Sequence, residues 1–131
     1  MLNENASKYG MDETVQKLAQ DIAAHNWKVT QQYSLDKGAA KLVMQIRPVV
    51  VIELGSPAHS AKILENGEYG PTEVMMPARI AVYEKENGEV YISQLNLSLL
   101  GAMFVGVVKE VMADAQDEHD AMVKDLVQTR S

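Results

Sequence analysis

Apolar and polar positions along this chain follow two periods, and each change of period marks an element. Val15, Leu18, Ala19, Ile22 and Ala23 recur at i, i+3, i+4, i+7 and i+8, so residues 12–26 predict an amphipathic helix. Asp12 suits its N-cap, Glu13 favours its N-terminus, and Asn26 suits a left-handed stop. Trp27 to Tyr33 then alternates with period two and predicts a strand. Ala39, Ala40, Leu42, Val43 and Ile46 suggest a short helix. It must end before Pro48, because a proline pushes the preceding residue toward extended backbone. Val49 to Leu54 is a continuous apolar, β-branched run apart from Glu53. It is expected as the central strand, buried on both faces. Ser56 and Pro57 fit the N-cap and first position of a helix running to about Glu65, with Ala61 and Leu64 packed. Asn66-Gly67 closes that helix.

Residues 77–96 hold the strongest local signal. Two β-rich runs, near 78–86 and 89–96, flank Asn87-Gly88, the pair that best tolerates the positive φ angles of a two-residue type I′ turn. That turn would pair Lys85 with Val90, Tyr83 with Ile92 and Ala81 with Gln94 on one face, and Val82 with Ser93 and Ile80 with Leu95 on the other. Both faces would then be partly apolar. Helices can cover one, and a second copy of the chain is the simplest cover for the other. Beyond the hairpin, Leu99, Leu100, Met103, Phe104, Val107, Val108, Val111 and Met112 form two adjacent rows at i+4 spacing, wide enough for two partners. A weaker stripe resumes at Ala121, Met122, Leu126 and Val127.

These elements predict an α+β fold: an antiparallel or mixed sheet of about four to five strands, helices on one face, and a long C-terminal helical segment. The 131 residues fit one domain. It divides into an N-terminal arm (1–11), a sheet-and-helix core (12–96) and C-terminal helices (97–131).

Composition changes this picture mainly by exclusion. There is no cysteine, which removes disulfides, thiolate metal sites and thiol nucleophiles, and suits a reducing compartment. The net charge is −6, and the 12 Lys and Arg residues are scattered, so no nucleic-acid patch is expected. The longest apolar run, Leu97 to Val108, falls short of the roughly 20 residues of a membrane span. The first ten residues lack the apolar core of a signal peptide. The expectation is a cytoplasmic protein with no membrane and no nucleic-acid partner.

Candidate chemistry is sparse. His25 lies in the last turn of the first helix, where positive charge suits the dipole. His59 lies in the first turn of the helix after Pro57, beside free N–H groups. If the junctions at Ser56-Pro57 and Pro77-Arg79 are neighbours, then Ser56, His59 and Arg79 form a small anion pocket. His119 sits in the acidic segment 114–120, which could hold a divalent cation but reads better as a solvated surface. The eight methionines read as packing. No phosphate-binding glycine loop and no Gly-x-Ser-x-Gly elbow is present, and no cofactor is expected.

At the two junctions the chain resembles the domain-of-unknown-function 302 family. The resemblance runs from about Asp12 to Val127. It is carried by Thr14-Val15-x-x-Leu18, by Val51-Ile52-Glu53-Leu54-Gly55-Ser56-Pro57, and by Met76-Pro77-Ala78-Arg79-Ile80-Ala81-Val82-Tyr83-Glu84 with Gly88-Glu89-Val90-Tyr91-Ile92-Ser93. Longer members also resemble Asn96-Leu97 through Met112. The resemblance implies a compact α+β domain, commonly a homodimer, with no settled activity. Many members carry Cys-Asn-Pro where this chain has Gly55-Ser56-Pro57, and Pro-Cys-Arg where it has Pro77-Ala78-Arg79. Any thiol chemistry at those positions is closed to this chain.

The functional expectation is a non-enzymatic homodimeric binding module. It would take a small anionic ligand at Ser56, His59 and Arg79, or a second copy or protein partner on Tyr83, Ile92, Leu100, Met103, Phe104 and Val107. The alternatives are a small enzyme using His59 and Arg79 in a pocket, and divalent-metal binding through 114–120.

Overall fold

The computed structural model describes residues 1–40, 46–65 and 78–128. In chain order these form β1 (Leu2–Ala6), α1 (Met11–Ala24), β2 (Lys28–Ser34), α2 (Leu35–Ala40), β3 (Val49–Gly55), α3 (Pro57–Glu65), β4 (Ala78–Glu84), β5 (Val90–Leu95), α4 (Leu97–Gly101) and α5 (Gly106–Val123). The five strands make one sheet in the order β1-β5-β4-β3-β2, with every pairing antiparallel. The fold is α+β, as expected. The Leu42-Val43 part of the second helix, the Asn66-Gly67 stop and the Pro77 entry to the hairpin lie outside the described residues.

The N-terminal arm is a strand. β1 pairs with β5 along its whole length, from Leu2 opposite Leu95 to Ala6 opposite Tyr91. The chain's other end closes over it: Lys8 N–H donates to the Leu126 carbonyl at 2.8 Å and Gln128 N–H to Ala6 at 2.8 Å. β3 lies inside the sheet but is not its middle strand, a position held by β4.

The hairpin between β4 and β5 differs from expectation by one residue. Glu84 faces Val90, Val82 faces Ile92 and Ile80 faces Gln94. The loop is three residues rather than two. Gly88 N–H bonds the Lys85 carbonyl at 2.9 Å, Lys85 N–H bonds Glu89, and only Gly88 carries positive φ, at +83°. This is a turn followed by a glycine bulge, the next most common hairpin connection. A one-residue slip exchanges the faces presented by the partner strand. Ile80, Val82, Val90 and Ile92 therefore share one face and are all buried. The pairing that gave two partly apolar faces does not occur. Ile92, expected at an interface, is 1% exposed in the core. Tyr83 lies on the opposite face, stacked on Tyr91 with centroids 6.2 Å apart. There its hydroxyl donates to Glu4, which also holds Lys85.

Helices cover the Ile80–Ile92 face, with α5 packed against α1, α3 and α4. α1 starts one residue earlier than expected, with Gly10 rather than Asp12 at its cap, and buries Thr14, Leu18 and Ile22. α3 buries Ile63 and leaves Ala61 and Leu64 exposed. The C-terminal stripe is not one helix. α4 ends at Gly101, and α5 begins at Gly106 in left-handed backbone (φ +67°). Met103, at the corner, is 74% exposed, while Leu100, Phe104 and Val107 are half-buried. The buried stripe of α5 runs instead through Val108, Val111, Ala115, Gln116, His119, Met122 and Val123. No helix among the described residues is long and apolar enough to cross a membrane.

The α4–α5 corner depends on a close approach at Gly101. A Cβ there would sit 2.8 Å from Met112 Cβ and 3.3 Å from its sulfur. Gly101→Ala should therefore destabilise the fold by about 1–3 kcal/mol, the usual cost of overpacking. Gly10→Ala, with nothing within 4 Å, should cost less, about 0.5 kcal/mol, from alanine's poorer fit at an N-cap. Urea unfolding of both variants beside the parent checks this difference.

Candidate functional site

The end of α1 builds the first wall of a pocket. Asn26 is the one non-glycine residue with positive φ among those described, at +63°. Its N–H bonds the Ala23 carbonyl at 3.1 Å, and the Trp27 N–H reaches back to Ile22 at 3.1 Å. That pair of bonds is the Schellman arrangement, which folds the next residue back against the helix. His25 Nδ1 meets the Asp21 carbonyl at 2.8 Å, which settles it in the last turn of α1. Trp27 is thereby carried inward and is only 6% exposed.

The end of β3 builds the second wall. Leu54 faces the helices opposite Ala78, and Gly55 leads into Ser56, whose Oγ accepts from the His59 N–H at 3.2 Å. Ser56 thus caps α3 and Pro57 occupies its first position, as the sequence predicts. The cap fixes the first turn, from which His59 and Ser60 line the same cavity as Trp27. α5 supplies the third wall with Val108, Val111, Met112 and Ala115. Together these enclose a cavity of about 80 Å³, open on one side and lined mostly by apolar atoms.

Two histidines and one carboxylate flank the indole. His59 Nε2 meets the Glu118 carboxylate from the next turn of α5. The His59 and Trp27 rings lie 5.6 Å apart. His119 approaches Trp27 edge-on at 4.6 Å and is 1% exposed. Two buried polar atoms here have no hydrogen-bond partner: Trp27 Nε1 and His119 Nε2. Burial pushes the His119 imidazole down from 6.5 to about 4. The Glu118 carboxylate works against that shift and His59 adds to it. His119 is therefore a neutral, packed ring at pH 7.

The structure brings Ser56 and His59 together and separates Arg79 from them. Side chains alternate along a strand. Ala78 and Ile80 face the helices, so Arg79 faces the other way. There its Nε donates to Glu53, directly opposite on β3, at 3.1 Å. The anion pocket of Ser56, His59 and Arg79 is not assembled. Nor does the 114–120 segment gather a cation site. His119 points inward, Glu118 reaches His59, and Asp120 accepts from Gln116 at 2.8 Å. Among the described residues no three His, Asp or Glu side chains are placed to hold a metal ion.

In the sequence Trp27 reads only as the start of a strand, and Glu118 and His119 only as part of the acidic segment 114–120 that could hold a divalent cation. A signal existed for His119: it lies four residues beyond Ala115 and eight beyond Val111, in phase with the buried stripe. Its acidic neighbours concealed that phase.

The sequence matches the family described as domain of unknown function DUF302 over residues 3–126. Among solved structures it is similar to the uncharacterized conserved protein DUF302 from Bacillus stearothermophilus. The TM-score is 0.85 and the identity 23%, over 95% of this chain and 97% of the other. At that identity the likeness concerns the fold. Comparison with curated proteins finds no match.

The buried His119 makes stability depend on pH. Its folded pKa is depressed, so the unfolded chain binds the extra proton first. The associated stability is complete above about 6.5 and is lost as pH falls toward 4. The loss should be on the order of 3 kcal/mol. His119→Leu fills the same apolar stripe without a titrating group. Unfolding free energies measured from pH 7 to pH 4 should fall less steeply for this variant than for the parent.

Proposed function

This chain belongs to the DUF302 family, a membership that carries no activity with it, and we propose that it binds a small, uncharged, largely apolar molecule against Trp27. One observation carries this reading. The indole of Trp27 lines a cavity of mostly apolar atoms that is open on one side.

Charge and size narrow the ligand. Support for an anion rested on Arg79 beside Ser56, and Arg79 pairs with Glu53 on the other face of the sheet. The charged group that stands by the pocket is the Glu118 carboxylate, which disfavours an anion. The cavity of about 80 Å³ is roughly half the ~150 Å³ that admits benzene. The enclosed part of the ligand is therefore smaller than a benzene ring, with any remainder leaving by the open side.

Trp27 is the only tryptophan in the chain, so its fluorescence reports the pocket directly. Titration with butanone, butanamide, butane-sized alcohols and butanoate should perturb the emission more strongly for the neutral compounds than for butanoate. At about 100 Kd, such a ligand should add ~2.7 kcal/mol of stability in a thermal shift. An equal response of the protein to butanoate and to butanone would overturn the reading.

A further inference from the structure

We propose that α3 is a hinged wall of the pocket, held shut against α5 by two ion pairs, and that its swing about the Gly55-Ser56 link opens the cavity and exposes Trp27. The argument begins with how little holds α3. Of its nine residues only Ile63 is buried, whereas α1 buries Thr14, Leu18 and Ile22, and α5 buries seven residues. Ile63 lies outside the continuous core that joins the sheet to α1 and α5. A segment with few buried apolar contacts opens locally, at a free energy below that of the whole fold. α3 can therefore leave its place without breaching the core.

The main packing partner of α3 is α5, and two ion pairs cross between them. His59 meets Glu118, and Lys62 Nζ lies 3.8 Å from Glu110. These carboxylates bracket the α5 wall of the cavity, because Val111, Met112 and Ala115 fall between positions 110 and 118. The two helices are thus tied on either side of a void, where further apolar contact would otherwise hold them. Lys62 and Glu110 stand in water, with side chains 52% and 65% exposed. Such a pair favours the shut state by a factor of about five at most. The clasp holds α3 and still lets it go.

The start of α3 lets it move as one piece. Ser56 accepts the His59 N–H on its Oγ at 3.2 Å and the Ser60 N–H on its carbonyl at 2.9 Å. Both bonds lie within residues 56–60, so they travel with the helix, and the bend falls at the end of β3. The swing changes the pocket directly. α3 contributes His59, Ser60 and Ile63 to a cavity of only about 80 Å³. Trp27, whose ring lies 5.6 Å from that of His59, is 6% exposed while α3 is shut. Outward movement of α3 removes that wall, widens the entry and lays the indole bare. Access to the pocket is in this way coupled to two carboxylates of α5. The coupling goes beyond the binding reading, since it holds whichever molecule fills the cavity.

Native-state hydrogen exchange of the full chain, read by NMR at low urea concentrations, gives the test. The amides of Ala61 to Glu65 should exchange at least about tenfold faster than those of Leu18 and Ile22, with almost no urea dependence, the sign of local opening. Exchange at the rate and urea slope of α1 would show that α3 opens only with the whole molecule, and overturns the inference. Glu110→Gln with Glu118→Gln should speed α3 exchange severalfold, at most about fivefold for each pair, and leave α1 unchanged. The same variant should raise acrylamide quenching of Trp27. Added salt should act on the parent in the same direction and have less effect on the double variant. Lys62→Gln, at a half-exposed side chain, makes the comparison from α3 if thermal unfolding shows the double variant to have lost its fold. Unchanged α3 exchange in a folded variant overturns the clasp, and faster exchange without added quenching overturns the gate. Failure of butanone and its companions to bind overturns the binding reading and leaves this one standing.

Discussion

The left-handed turn at Asn26 is the constraint on which the rest of this molecule's interesting chemistry depends. It ends α1, folds the chain back through two carbonyl bonds, and delivers Trp27 into the space between α3 and α5. A longer helix would carry the indole outward. With the turn in place, the indole separates two histidines of opposite character. His59 touches it from the open side and keeps a carboxylate and some water. His119 touches it from the closed side and has neither. One aromatic ring thus sets the boundary between a wet imidazole and a dry one. The pocket is the gap left on the wet side.

Packing and electrostatics explain why the dry side tolerates a polar ring. α5 must bury a stripe against α1, α3 and the sheet, and position 119 falls in that stripe. Desolvation acts on the charged imidazolium far more than on the neutral ring. A histidine that stays neutral behaves as a mid-sized aromatic and stacks edge-on to Trp27 at 4.6 Å. The cost is an unpaired Nε2. The acidic neighbours reflect the same helix geometry, because Asp114, Asp117 and Asp120 fall on its exposed arc while 115, 119 and 122 fall inside. A run that reads as uniformly acidic is two faces interleaved.

Much of the fold was legible where local rules and burial agree. The α1 stripe, the β3 run, the Ser56-Pro57 start of α3 and the hairpin all stand where the residue pattern puts them. The misses share one cause: tertiary contact chose between local options that the sequence leaves nearly equal. Asn87-Gly88 serves a two-residue loop or the last two positions of a three-residue loop. Burial of Ile80, Val82, Val90 and Ile92 on one face decides for the latter. Leu97 to Met112 has helical spacing throughout, yet Gly101 and Gly106 allow a corner that folds α4 onto α5. The polar segment 1–11 gives little strand signal, and β1 forms because β5 would otherwise present an unpaired edge.

The candidate site was legible only in part, and the reason is parity. Ser56 and His59 belong to one turn of α3, so local spacing suffices to place them together. Whether Arg79 joins them depends on which way β4 faces, and a single residue of shift reverses the answer. Ala78 meets Leu54 on the helix side, so Arg79 must meet Glu53 on the other. That reversal changes the chemistry as well as the geometry. With Arg79 the pocket would be cationic and fit for anions. Without it, the charge beside the pocket is Glu118, and the lining is mostly apolar. The same residues that suggest an anion site in sequence then make, in three dimensions, an apolar pocket with a histidine–carboxylate pair.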